Sequence, residues 1–344
     1  MEDAIPEHLK TVRTRPARVR EDYEPPYPSF VARYDSSVRK VVMAYFGIQA
    51  RPENEGHTVG PLAQLSAAFD APDGPGHWDR ARYVDGAGFV TLVSIAYWDD
   101  PASFDRWFSR NGSGWTGEEK AAPVGTFTEI LRPAVERYET LFSATGRPEG
   151  IAALAGGFSD MVREHAYWGG MRDRIPLSQT DAMAPSGSPA VSESGGLRRV
   201  VPHHNLCLIR SGQDWTDADD EERQMYFEDV EPALRSGMDF LAREGMSCGC
   251  FDNRYMMVVG KDGSPTGKSF AMSWWKSLDA LERWSESHPT HVAIFGAAMR
   301  YLTTIGPAAK LRLYHEVTVA AEDEQFFEYR NCHPDTGMLR SSGR

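Results

Sequence analysis

AYWDDPASFDRWFSRN (96–111) and SWWKSLDALERWSESH (273–288) lie far apart in the chain yet share one pattern. At a constant offset of 177, Trp98 matches Trp275, Arg106 matches Arg283 and Trp107 matches Trp284. A β-branched and aromatic run precedes each, GFVTLVSIAYW (88–98) and KSFAMSWW (268–275), and reads as a strand. Apolar residues then recur at helical spacing, Phe104 with Trp107 and Phe108 in the first copy, Leu278 and Leu281 with Trp284 in the second. A further strand with an aromatic mark follows each helix: VERYETLFS (135–143) around Tyr138 and LRLYHEVTV (311–319) around Tyr314, at an offset of 176.

Working outward, VVMAYFGIQ (41–49) and HNLCLIRSG (204–212) read as earlier strands, the second ahead of a long helical pattern at 220–245. Each half then reads β-α-β-β-α-β, a ferredoxin-like unit. The expected fold class is α+β, two such units in one chain burying their open sheet faces against each other as a dimeric α+β barrel-like core. The shared tryptophans are first of all core residues of that arrangement. The expected divisions are an extended arm over 1–35, a first half over 36–150, a connecting segment over 151–200, a second half over 201–335 and a tail over 336–344. Within the connection, the serine-, glycine- and proline-rich stretch 178–199 reads as a long surface loop.

With 344 residues, 41% of them hydrophobic, a large core is available. No uncharged apolar run approaches the ~18 residues of a membrane span. The arm alternates proline and charge without the apolar centre of a secretory signal, so a cytoplasmic location is expected. A net charge of −12 argues against nucleic acid, whose phosphates need a basic surface. Cys207, Cys248, Cys250 and Cys332 form no CxxC pair and read as reduced thiols.

The halves differ in histidine. His288 falls opposite Asn111, His291 opposite Gly114 and, at the second offset, His315 opposite Glu139. In KLRLYHEVTV (310–319), strand alternation sets His315 on one face with Leu311, Leu313, Val317 and Val319, where a structural hydrogen bond is the ordinary role of a histidine. For His288 and His291, zinc, haem and helix capping compete. Zinc wants three or four ligands in a recognisable set, and no such set is present. Haem needs one proximal imidazole, an apolar pocket and, at times, a second histidine on the opposite side. If Pro289 occupies the first turn of a helix, His288 caps it and His291 projects one turn inside, as a neutral imidazole near a positive helix end.

The strings YWGGMRDRIPLSQTD (167–181), LIRSGQDW (208–215), ERWSESHPTH (282–291), KLRLYHEV (310–317) and NCHPDTGMLR (331–340), with YEPPYP (23–28) in the arm, resemble the aldoxime dehydratases over nearly the whole chain. That resemblance implies a b-type haem protein of duplicated ferredoxin-like architecture, usually a homodimer, converting R-CH=N-OH to the nitrile R-C≡N. It implies His291 as the proximal iron ligand, His315 as the distal catalytic histidine, and Arg172 and Ser211 as its hydrogen-bonding partners. Glu139 resembles a distal glutamate of the family, and the 176 offset makes it the counterpart of His315. Leu141, Ala298 and Ser29 are expected to line the substrate pocket, the small residues making it roomy.

These roles suit the chemistry. Hydroxide leaves only as water, so an acid must reach the oxime oxygen, and an imidazole with an ordinary pKa of ~6.5 can give and regain that proton. An arginine and a serine hydroxyl can hold the leaving group in line. Ferrous iron suits binding through nitrogen, so activity is expected only under reducing conditions. The alternatives are a peroxidase-like haem enzyme and a non-catalytic haem carrier or sensor.

Overall fold

The structure, a computed structural model, describes residues 1–117, 123–165 and 170–342; the YWG at 167–169, which opens one of the strings that carry the family resemblance, lies outside them. In chain order the main elements are β1 (Ala32–Arg33), β2 (Val42–Ala50), α1 (Val59–Phe69), β3 (His77–Val84), β4 (Val90–Trp98), α2 (Pro101–Trp107), β5 (Val124–Leu131), β6 (Tyr138–Phe142), β7 (Gly157–Phe158) and α3 (Gly170–Arg174). There follow β8 (Ala190–Ser194), β9 (Leu197–Val201), β10 (Leu206–Asp214), α4 (Asp220–Met225), α5 (Glu231–Glu244), β11 (Cys250–Val259), β12 (Pro265–Trp275), α6 (Leu278–Ser287), α7 (Pro289–Ile305), β13 (Arg312–Ala320) and β14 (Gln325–Arg330). The protein is α+β, built on one large antiparallel sheet with helices packed on it.

That sheet runs β6-β13-β10-β12-β11-β3-β4-β2-β5-β14-β9-β8. The four strands of each half stand in the same spatial order, and the halves meet where Arg82 of β3 pairs with Met257 of β11. The register repeats as well. Val42 faces Trp98 and Gly47 faces Phe127 in the first half; Cys207 faces Trp275 and Gly212 faces Tyr314 in the second. Both glycines are obligatory for one reason: a Cβ on Gly47 would lie 2.0 Å from the Phe127 ring, and on Gly212 2.2 Å from the Tyr314 ring.

This register corrects the second offset. With Gly47–Phe127 matching Gly212–Tyr314, the position matching His315 is Thr128 on β5, and Glu129 matches Glu316. Glu139 belongs instead to β6, which leaves the first half and pairs with β13 of the second, Leu141 opposite His315 and Glu139 opposite Val317. Reciprocally, β14 leaves the second half and pairs with β5 of the first. VERYETLFS and LRLYHEVTV look alike because both alternate apolar and polar residues around a tyrosine, which any half-buried strand does.

One face of the sheet forms an interior of Tyr45, Leu208, Met272, Trp274, Phe327 and their neighbours. The other carries the helices. In the first half, Phe46 and Trp98 of the sheet pack against Phe104 and Trp107 of α2; in the second, Cys207 and Trp275 pack against Leu281 and Trp284 of α6. Full burial of such side chains contributes about 1.5–3 kcal/mol each. Covered on both faces, β2 is apolar along nearly its whole length instead of alternating.

The stretch 178–199 is only partly a loop. Gly195 and Gly196, with φ of 54° and 73°, close a hairpin between β8 and β9, and β9 extends the sheet by pairing with β14. Consecutive positive φ values at a two-residue turn are what a twisted hairpin requires. Within the expected tail, Met338 and Leu339 are buried in the interior cluster. No helix among the described residues is long and apolar enough to cross a membrane. All four cysteines are free thiols, three of them buried.

Candidate active site

Ser211 and His315 are direct cross-strand partners on the helix-covered face of the second half. Leu141 lies beyond His315 and Ala271 beyond Ser211, so one row across the sheet reads Leu141, His315, Ser211, Ala271. Apolar clusters flank this row. On one side the cluster that holds Val317 takes in Ile209 and Ile294 of α7; on the other the cluster that holds Leu311 and Tyr301 of α7 takes in Leu313 and Leu302.

Helix α7 opens as its sequence dictates. His288 is the N-cap, its Nδ1 accepting from the Thr290 amide at 3.4 Å, and Pro289 takes the first helical position, where a missing N–H costs nothing. His291 follows one turn in. Its imidazole stands edge-on to Trp284, ring centroids 4.7 Å apart, and is hydrogen-bonded to the backbone of Ser285. Burial pushes its pKa down to about 4, against a smaller opposing effect of that hydrogen bond, so the ring is neutral at physiological pH. Helical spacing sets Phe295, Ala298 and Leu302 on the His291 side of α7. The close approach of α5 and α7 rests on Gly237, where a Cβ would meet Ile294 at 2.6 Å.

His315 is held by two partners at once. Its Nε2 lies 2.9 Å from Nη2 of Arg174 and 2.9 Å from Oε1 of Glu139. Arg174 also donates from Nε to Oε2 of Glu139 at 2.6 Å, and from Nη1 to the Glu164 carbonyl at 2.6 Å. Burial works to raise the Glu139 pKa, but the Arg174 guanidinium and the His315 imidazole outweigh it and hold the carboxyl below its ordinary value. Because arginine only donates, Arg174 serves a lone pair on Nε2, whereas Glu139 serves a proton there. The constellation therefore accommodates either protonation state of the ring.

Arg172, expected beside His315, is elsewhere. Its guanidinium donates to both oxygens of Glu282 on α6, at 2.6 to 3.1 Å, and to the Ala182 carbonyl at 2.7 Å. Residues two apart on a helix point to opposite sides, so only one arginine of the MRDR string can face His315, and tertiary placement selects Arg174. Ser29 is also not an open wall of the pocket. It is buried, with its hydroxyl 2.5 Å from Nδ1 of His165. Burial, then the Arg174 guanidinium, pushes His165 down to about 3. Leu141 packs with Val31 and Val162 beside His315, and Ala298 is half-buried on α7. His165 has no sequence signal that would have singled it out.

The first half shows why only the second is a candidate cofactor site. The place of the Ser211–His315 pair is taken there by Phe46 and Thr128, and Phe46 packs among Trp107, Phe108 and Trp115, with ring centroids 5.6 to 6.4 Å away. Aromatic rings fill that layer. In the second half a neutral imidazole, apolar helix positions and a polar pair on the facing strands fit a haem: one nitrogen ligand, hydrophobic walls and distal hydrogen-bonding groups. No group of three or more histidine, cysteine, aspartate or glutamate residues that could hold a metal ion occurs among the described residues.

Comparison with known proteins agrees. The haem-containing dehydratase family model matches residues 44–338. The aliphatic aldoxime dehydratase of Rhodococcus erythropolis is 43% identical, the match covering 99% of this chain and 98% of the relative. The phenylacetaldoxime dehydratase of Bacillus sp. (strain OxB-1) is 32% identical over 93% of each. A crystal structure of an aldoxime dehydratase in complex with butyraldoxime superposes with a TM-score of 0.95 at 43% identity, covering 99% of this chain and 96% of that one. A match of this extent to the family model and its relatives makes the chain a member of the haem-containing dehydratase family.

Proposed function

We propose that the protein dehydrates aldoximes to nitriles on a b-type haem carried by His291, with His315 as the general acid and base. The observation that carries this reading is the Arg174–Glu139–His315 constellation, cross-strand from Ser211 and on the sheet face that α7 covers. Held by His291, reduced haem would supply a metal centre able to bind the oxime nitrogen and electron density for cleavage of the N–O bond.

The chain's own residues do the rest. Nε2 of His315 is engaged by Arg174 and Glu139, which leaves Nδ1 to give a proton to the oxime oxygen and afterwards to take the carbon-bound hydrogen. Water and nitrile are then the only products, and the ring ends as it began. The Ser211 hydroxyl, next to His315 in the row, holds the departing oxygen in line. Arg174 takes the distal place that the family resemblance had suggested for Arg172. Leu141 and Ala298 remain the proposed contacts of the substrate side chain, with Ser29 acting through His165.

The same reading takes the repeated strand order as a duplication of ferredoxin-like units, spanning 36–150 and 201–335, closed into a barrel-like core by the exchange of β6 and β14. It also takes the enzyme as a cytoplasmic homodimer, with its thiols reduced. The test is turnover: dithionite-reduced holoprotein given butyraldoxime should release butyronitrile, while the ferric form should not. Ferric protein oxidising a dye with hydrogen peroxide, without nitrile formation, would instead support the peroxidase-like reading; oxime binding without consumption would support a sensor.

A further inference from the structure

The short helix α3 addresses both sides of the pocket, since Arg174 faces His315 while Arg172 faces α6. Glu282, the partner of Arg172, is almost wholly buried and also receives Nη1 of Arg18 from the N-terminal arm at 3.1 Å. Asp173, between the two arginines, accepts from the amides of Arg18 and Val19 at 2.8 and 2.6 Å. Arm, α3 and α6 are thereby locked together at one carboxylate.

What α6 carries next to that carboxylate is the environment of His291. One turn beyond Glu282 stands Ser285, whose hydroxyl donates to the Glu282 carbonyl at 2.9 Å and whose backbone is the hydrogen-bond partner of the His291 imidazole. Trp284, edge-on to the same ring, lies between them. An imidazole that binds a metal through one nitrogen is oriented, and its basicity set, by the group that accepts from the other.

We propose that Arg172 is a positioning residue for the iron ligand: through Glu282 it fixes the stretch of α6 that presents the Ser285 carbonyl and the Trp284 ring to His291, and so sets the strength of the iron–histidine bond. This rests on His291 being the ligand. One five-residue helix then ties the distal acid, through Arg174, to the proximal ligand, through Arg172.

The experiment compares ferrous holoenzyme of the parent, Arg172→Lys, Arg172→Gln and Glu282→Gln by resonance Raman spectroscopy and by haem transfer to an excess of apomyoglobin. Glu282→Gln weakens both arginine contacts and should lower the iron–histidine stretching frequency and speed haem loss roughly tenfold or more, the usual scale for disturbing a ligand's hydrogen-bond partner. Arg172→Gln should shift the band less, because Arg18 remains, and Arg172→Lys less again. The acid limb of the pH–rate profile should stay in place, since Arg174 and His315 are untouched. An unchanged band and haem-loss rate in folded Glu282→Gln would overturn the proposal. Should that variant fail to fold, an unchanged band in Arg172→Gln would do the same. Retention of haem by His291→Ala, whose clamp is intact, would instead defeat the ligand assignment.

Discussion

Replacing Arg174 by methionine removes the main counter-charge of a buried carboxylate and leaves Glu139 only the His315 imidazole to face. The side chains of Arg174 and Glu139 are 2% and 1% exposed, and their closest contact is 2.6 Å. Breaking a buried pair from one side costs about 3–5 kcal/mol, because the remaining charge is left unsolvated. The pH dependence should also change sign. In the parent, Glu139 lies below its unfolded value, so its ionisation supports the fold above the carboxylate range and that support fades as pH falls through the depressed value. In Arg174→Met, burial is no longer outweighed and the folded-state value rises above the unfolded one. Stability is then retained at low pH and lost as pH rises through the ordinary carboxylate range of roughly 4 to 5 and beyond. Urea unfolding of the holoprotein, followed by tryptophan fluorescence at pH 5 and pH 8, should therefore show the larger loss at pH 8. With a slope near ~3 kcal/mol/M, a loss of about 4 kcal/mol moves the midpoint by more than ~1 M. Adding Glu139→Gln should recover more than half of it. A loss below ~1 kcal/mol, an equal loss at both pH values, or a double variant no better than the single would refute the reasoning.

His315→Ala should lower kcat by roughly 10²–10⁴-fold while the ferrous absorption spectrum persists; loss of the pigment would make the residue structural rather than catalytic. Ser211→Ala removes one hydrogen bond of about 1 kcal/mol and should cost less than His315→Ala in kcat, with KM for butyraldoxime little changed; parity between the two would contradict the assigned roles. Gly212→Ala forces a Cβ against Tyr314, the residue before His315, and should lower stability by about 1–3 kcal/mol together with turnover. An unchanged melting temperature would show that this ring moves aside freely.

The tryptophan-marked repeat at offset 177 was legible because Trp98 and Trp275 occupy matched register positions, each opposite the second-layer residue of the strand beside it. The cap at His288 and the projection of His291 were legible too, because proline permits little else. Glu139 stands beside His315, but of the two grounds for choosing it, likeness to a distal glutamate of the family and the 176 offset, the offset is not the physical reason. Sequence similarity suggested equivalence, whereas strand exchange supplies contact, and no local pattern distinguishes the two. The choice between Arg172 and Arg174 was beyond one-dimensional reading for a related cause. Both are arginines on the same short helix, and their roles differ only through Glu282 and Glu139, 110 and 35 residues away.

The crossing of β6 and β14 between the halves bears on how the polypeptide matures. Glu139 can meet Arg174 early, but its other partner, His315, is synthesised 176 residues after it, so the distal constellation closes only once β13 has been made. Pairings of such sequence separation are slow to form and make the two halves a single cooperative unit. Expressed alone, a fragment ending near residue 150 would present the edge of β5 that β14 normally covers, a surface prone to self-association.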